Sequence, residues 1–528
     1  MLTIRRAAMV LIWPALAWMG AACDRPDPTE PELPGVELSS GGSGTLWVND
    51  DDPNGGLYVP PGNGCNNPGY PTIQSAVTAA TPGAHINVCP GIYIEQVTIP
   101  VGKDRLRLQS VHRWEAVIKA PPVMNDPKAI VRVNGAHDVT ILAFTITGPG
   151  GFACNSLRYG VRVDDYGSAN ILGNHITEIR DNPFGGCQNG VAVQVGRRFQ
   201  PGPGDLTPPD ITVGTAKIMG NVIDRYQKNG PTVSNAGSYA EIAHNRILGS
   251  GPTAVIAQNG IQASSEATAE IRHNFVAQNL YIPQTVVSTG ILLFESGKVL
   301  TEHNTATSND VSIYLFDAGA GSETIHNRAR ASTFDGIAVQ EGPGSEVAYN
   351  KTEENGGPGI GVYDARNNAL DNNKVEDNDD SGILLDNADN NMVGNNQVRE
   401  NGTPGFDLTD GIRAEAGSVQ NIIQKNHLRD NVTHDCHDVV PDANVWIDNH
   451  GETSVPAGIC DRENDDAAFA TTTAYGWDPD YPWSAAFDIP ADYDWAAAYA
   501  TIDTEGLLQL LPGAPAIGIH RVPVSPQP

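Results

Sequence analysis

Apolar residues in this chain come in short runs separated by Asn, Asp and Gly, and the runs recur. Val347-Ala348-Tyr349-Asn350 aligns with Leu370-Asp371-Asn372-Asn373 and with Val393-Gly394-Asn395-Asn396. The aligned residues Asn327, Asn350, Asn373 and Asn396 follow one another at a spacing of 23 residues. Each period also carries a Gly-Ile step, at Gly336-Ile337, Gly359-Ile360 and Gly382-Ile383. A second Asn follows five positions after the first, as Asn355, Asn378 and Asn401. A period in the twenties marks stacked supersecondary units. The apolar runs are too short for helices. Ile360-Gly361-Val362 and Ile383-Leu384-Leu385 read as strands with alternate side chains inward, and the residues between them are those that turns need.

One such unit cannot bury its inner face, but a stack can. Parallel stacking sets equivalent residues about 4.8 Å apart, so a recurring Asn becomes a column in which each amide donates to the next carbonyl oxygen. The ladder candidates are Asn174, Asn221, Asn245, Asn274, Asn304, Asn327, Asn350, Asn373, Asn396 and Asn426. The gap of 47 residues from Asn174 to Asn221 reads as two coils, with a Pro/Gly loop at Arg197 to Asp205.

The pattern Gly-Ile-x-Leu, then Ile-x-x-Asn-x-Ile, resembles the right-handed parallel β-helix repeat proteins of the pectate-lyase-like superfold, over roughly residues 70 to 460. The resemblance implies an all-β right-handed parallel β-helix solenoid with an N-terminal capping helix and an irregular C-terminal extension. Thr72 to Ala80, with Ile73, Ala76, Val77 and Ala80 on one face, is the candidate cap. The resemblance is not specific for function, because the fold hosts lyases, hydrolases, epimerases and adhesins.

The expected organisation has four parts. Residues 1–22 read as a signal peptide, with Arg5 and Arg6 before an apolar core that is too short to span and remain. Residues 23–44 read as a disordered Pro-, acid- and Gly/Ser-rich tether. Residues 45–460 are the solenoid, with the cap at about 45–100 and the repeats at about 137–432. Residues 461–528 are an aromatic-rich capping segment. Met19 to Cys23 resembles a bacterial lipobox, which implies a lipid on Cys23 and a membrane anchor. Gly20 stands where that pattern has Leu, so cleavage after Ala22 and secretion is the rival reading.

The chain has 7 cysteines. Setting Cys23 aside, sequence proximity suggests Cys65–Cys89, Cys154–Cys187 and Cys436–Cys460, out of 15 possible pairings. No CxxC pair favours a metal instead, and an oxidising compartment permits disulfides. A net charge of −30 argues against nucleic acid as a partner.

Two columns carry candidate chemistry. His244, His273, His303 and His326 each precede a ladder Asn, and stacked imidazoles are a candidate metal site. Gly173, Gly220, Asn372 and Asn395 hold the same place in other coils, which points instead to turn geometry with φ > 0. The second column is acidic. Glu295, Asp317, Glu341 and Asp364 recur at coil spacing, with Arg366 nearby. Glu341, Asp364 and Arg366 are the candidate catalytic set, and Glu295 and Asp317 are candidate binding residues. Close carboxylates recruit Ca²⁺ or supply a general acid. Their alternative is a turn column. Trp477 and Trp483 are candidate sugar-stacking residues. The His434 to Asp438 cluster looks like a metal site in one dimension, but reads better as the closing coil.

The expected protein is a monomeric, exported cell-envelope β-helix that contacts glycan or serves a structural role. One alternative is a polysaccharide lyase, hydrolase or epimerase using the carboxylate column. The other is a periplasmic metal-handling protein.

Overall fold

The computed structural model describes residues 44–51, 55–202, 208–406 and 408–460. The signal segment, Cys23, most of the tether, Trp477, Trp483 and the rest of 461–528 lie outside these residues.

The chain winds as a parallel β-helix of three sheets with 15, 13 and 14 strands. One coil shows why. Glu346–Ala348 lies in the first sheet, Lys351–Glu353 in the second and Ile360–Tyr363 in the third. Val347, Thr352, Ile360 and Val362 point inward and are fully buried. Each strand pairs in parallel with its equivalent one coil away, as Val347 with Leu370 and Ile360 with Ile383. The alternation read from the sequence is therefore the inward column of the core.

The bend from the first sheet to the second is a two-residue turn. Its first residue has positive φ in every coil cited here: Gly173 (58°), Gly220 (64°), His244 (54°), Tyr349 (57°), Asn372 (56°) and Asn395 (54°). Its second residue is the ladder Asn. Asn350 Nδ2 donates to Asn373 Oδ1 at 3.1 Å and to Thr324 O at 2.7 Å, while its backbone N–H donates to the same Asn373 oxygen at 3.0 Å. All ten predicted rungs are buried in one continuous ladder, and it extends one step further, from Asn426 to Asn449 at 2.9 Å. The second predicted column is also a ladder, with Asn355, Asn378, Asn401 and Asn431 linked in order. A third ladder, Asn368–Asn391–Asn421–Asn444, lines the bend from the third sheet back to the first.

The two-coil reading of residues 174–221 is corrected. Asn174 donates directly to Asn221, so the 47 residues between them make one coil. The excess is a long connection at 178–190 and a hairpin of Arg197–Phe199 with Asp210–Thr212.

At the N-terminal end, the helix Ile73–Ala79 buries Ile73, Ala76 and Val77 in the same core as Leu46, Val48 and Ile86. Thr72 caps it by accepting from the Ser75 N–H. The Glu95 carboxylate accepts from the Ile73 and Gln74 N–H groups at 2.8 Å each, where the helix dipole favours an anion. Cys65–Cys89, Cys154–Cys187 and Cys436–Cys460 are disulfide-bonded, and the last ties the closing coil.

Candidate functional site

The two predicted columns occupy turns. Glu295, Asp317, Glu341 and Asp364 have φ of 46°, 44°, 59° and 50°, and each opens the bend from the third sheet to the first. Their N–H groups donate to the next coil, as Glu341 N–H does to Tyr363 O at 3.2 Å. The first three are exposed and Asp364 half-buried; Arg366 is exposed in the same bend.

His244, His273, His303 and His326 stack face to face, with centroids 4.9, 5.0 and 4.9 Å apart and planes within 3°. Tyr349 extends the stack at 5.0 Å. Imidazole lone pairs lie in the ring plane. Rings held parallel at this spacing do not aim two nitrogens at one ion. Burial and the neighbouring imidazoles of His244 and His303 lower His273 to about 4.

The outer face of the third sheet differs from the rest of the surface. In the first and second sheets, burial alternates with exposure, as in Val139–Leu142 and Thr145–Thr147. In the third, Tyr159–Asp164, Asn229–Ser234 and Asn259–Ser264 are buried at all six positions. Both faces are covered because long segments join the second sheet to the third. Val287, Phe334 and Leu408 from these segments pack onto the outer face.

The strip changes chemistry along its length. At the N-terminal end it is charged. Arg162 donates to Asp210 at 2.8 and 2.6 Å, so the hairpin folds back onto the sheet, and Arg132 binds Asp164. Next it is polar, with Gln194, Asn229, Thr232 and Gln262 buried. Then it turns aromatic. Phe294 and Phe316 stack at 5.1 Å, and Tyr314 meets Phe316 edge-on at 6.2 Å. Tyr363 crosses Gly361, where any Cβ would strike its ring, and its hydroxyl donates to Asp335 Oδ2 at 2.8 Å. Burial pushes the Asp335 carboxyl up to about 7; the Tyr363 bond opposes this, and the Asp380 charge adds to it. Asp310 is raised to about 6 by burial, although the Tyr281 and Ser288 N–H groups bind it at 2.9 and 3.0 Å.

The C-terminal end is charged again. The buried Asp410 faces His434 Nδ1 at 2.9 Å and His437 Nδ1 at 3.1 Å, and takes Arg413 at 2.7 Å. The dense His434 to Asp438 segment thus divides by strand alternation. His437 points outward, while Cys436 and Asp438 are buried. Asp435 and Asp438 are structural: Asp435 accepts from the Glu452 N–H at 2.8 Å, and Asp438 from Trp446 Nε1 at 3.0 Å.

Among the described residues, two groups bring metal-ligating atoms together: Cys154–Asp181–Cys187 and Asp410–His434–His437. The first is spent on a disulfide and on Asp181, which caps the Asn155 and Ser156 N–H groups. Sequence reasoning did not assign Phe294, Phe316, Asp335, Tyr363, Asp410 or Arg413 to a site. Phe294, Phe316 and Tyr363 stand three residues after the inward Ile of their coils, Asp335 and Asp410 two before it and Arg413 one after it, so no single position of the repeat signals them.

Residues 318–459 match the model of the right-handed beta helix region. No curated protein matches the sequence. Among solved structures, the DFA-IIIase of Arthrobacter chlorophenolicus A6, without its lid, is similar at 14% identity and a TM-score of 0.43. The match covers 77% of this chain and 99% of that one. The A-module of an Azotobacter vinelandii mannuronan C-5 epimerase is similar at 14% identity and 0.36, covering 72% and 92%. The catalytic unit of a GH87 alpha-1,3-glucanase from Streptomyces thermodiastaticus strain HF3-3 is similar at 13% and 0.41, covering 72% and 66%. Each is a likeness of fold alone.

Proposed function

We propose that this protein acts on a carbohydrate that docks at the partly exposed aromatic stretch of the third sheet's outer face, against Phe294 and Phe316. The observation that carries the reading is one aromatic cluster in which Phe294 and Phe316 stack, Tyr314 meets Phe316 edge-on, and Tyr363 donates to Asp335, a carboxyl that burial raises to about 7. Aromatic faces take the apolar face of a sugar ring. A carboxyl acid that stays protonated toward neutrality is tuned to protonate a glycosidic oxygen. Tyr363 orients it.

The test is product release from a panel of neutral and uronic-acid polysaccharides, with and without Ca²⁺ for the acidic turn column. Reducing ends or unsaturated uronates are expected. Asp335→Asn should lower turnover about 100-fold or more, and Phe316→Ala should raise KM. Turnover unchanged in Asp335→Asn would remove that residue from the chemistry. Retention of a saccharide without product would return the chain to a glycan-contacting, non-catalytic role.

The reading includes export, supported by the three disulfides. No described helix is long and apolar enough to cross a membrane. A lipid on Cys23 would supply the anchor, and the mass of the mature N-terminal peptide tests it.

A further inference from the structure

Three coils beyond Asp335, about 14 Å along the stack, the Asp410 cluster brings two imidazoles and a guanidinium onto one buried carboxylate. His437 Nδ1 lies 3.1 Å from Asp410 Oδ2, which can only accept from it, and 2.9 Å from an Arg413 guanidinium nitrogen, which can only donate. One ring nitrogen cannot serve both. Protonated, it faces a guanidinium; bare, it faces a carboxylate oxygen. A cation between the carboxylate and a bare imidazole would take that nitrogen's lone pair and displace Arg413, which donates to Asp410 at 2.7 Å.

The geometry fits such an ion. Each oxygen of Asp410 addresses a different imidazole, Oδ1 to His434 and Oδ2 to His437, and the three ligand atoms lie within 4.8 Å of one another. An ion with bonds of about 2.1 Å holds neighbouring ligand atoms about 3.0 to 3.4 Å apart. The two separations of 2.9 and 3.1 Å need little change. Asp410 is fully buried, while His434 and His437 keep 28% and 17% side-chain exposure, which leaves an approach from solvent. The frame is fixed: His434 and His437 flank Cys436, which is bonded to Cys460, and Ile412 and Arg413 pair in register with Cys436 and His437. Arg413 has a second partner, with Nε donating to Glu415 at 2.6 Å.

We propose that Asp410, His434 and His437 form a binding site for a divalent first-row transition metal ion, and that Arg413 competes with the ion for Asp410. The two-imidazole, one-carboxylate donor set suits Zn²⁺, Co²⁺ or Ni²⁺ better than Ca²⁺, which takes oxygen ligands. The proposal does not rest on the carbohydrate reading.

The competition gives a test with opposite signs. Co²⁺ is titrated into the untagged full chain and followed by visible absorption, with Zn²⁺ as competitor. One equivalent is expected to bind. His434→Ala and His437→Ala should each weaken it about 100-fold or more. Arg413→Ala should tighten it about 10-fold or more, because it removes the rival cation. Partly exposed His434 provides a ligand variant that need not disturb the core. Absence of binding in both the wild type and Arg413→Ala would overturn the proposal. So would binding that survives His434→Ala and His437→Ala but is lost in His273→Asn, which would move the ion to the stacked column. Weaker binding in Arg413→Ala would overturn the competition.

Discussion

Asn373 Oδ1 accepts two hydrogen bonds from a single residue, from Nδ2 of Asn350 at 3.1 Å and from its backbone N–H at 3.0 Å. The rung is thus both a side-chain contact and the closure of a turn. Asn373→Ala would strand both donors and the Val347 carbonyl that Asn373 Nδ2 serves at 2.7 Å. The expected cost is about 2–4 kcal/mol. Chemical denaturation reports the total, and amide exchange should place the loss in the two adjoining coils. Asn372→Gly, next door, should be close to neutral, because Gly accepts the 56° φ of that turn.

The stacked histidines predict a pH dependence. His273 is lowered from 6.5 to about 4, first by burial and then by the neighbouring imidazoles. Between those values the unfolded chain binds the proton and the folded chain does not. Stability from this group is therefore present above about 6.5 and is lost as pH falls toward 4. His273→Asn, which supplies the residue found at this place in other coils, should flatten the melting temperature between pH 7 and 5. An unchanged slope would mean that the stack titrates as it does in the unfolded chain.

The second sheet carries an ion lattice on its outer face. Glu376 meets Lys351 at 2.9 Å, Lys374 at 3.0 Å and Arg399 at 2.6 Å. Burial works against its charge, but the hydrogen bonds from Lys351 and Lys374 outweigh burial and hold the carboxyl at about 2. This contribution is present above the unfolded value near 4.5 and is lost as pH falls through 2. Glu376→Gln should lower stability at pH 7, and the gap between variant and wild type should close as the pH approaches 2. Thermal melts at several pH values check it.

Cys436–Cys460 closes a segment with a sequence separation of 24 residues. Loop-closure entropy for that length gives about 3.5 kcal/mol. Cys460→Ser should destabilise the chain by about that amount and expose the Ser454–Val455 strand to proteolysis first. A protease time course with mass readout distinguishes this local loosening from global unfolding.

The inward face was legible because it repeats. Val347, Leu370 and Val393 fill the same slot, and the Asn turns have one solution. The outward face of the third sheet was not, because it does not repeat. Leu292, Tyr314, Ala338, Gly361, Leu384, Arg413 and His437 share one column and no chemistry. Core packing constrains the inner slots alike, while the outer ones are free to differ along the axis. The acidic and histidine columns recur because each holds the left-handed turn residue of its bend. The hairpin at 197–212 hid a single coil behind a spacing that suits two. Asp410 and its histidines lie in adjacent coils, so they meet through the winding and not through any local motif.

The regular rungs also make length a counted quantity. Between Asn327 and Asn396 every coil has the same 23 residues and the same ladder partners. Excising residues 351–373 would present Asn350 with Asn396 where Asn373 stood, with no turn redesigned. The strip would shorten by one step of about 4.8 Å and lose Tyr363, the hydroxyl bound to Asp335. A ligand that spans the strip would therefore see it change in whole increments, so a deletion series can act as a ruler for the number of residues the ligand occupies.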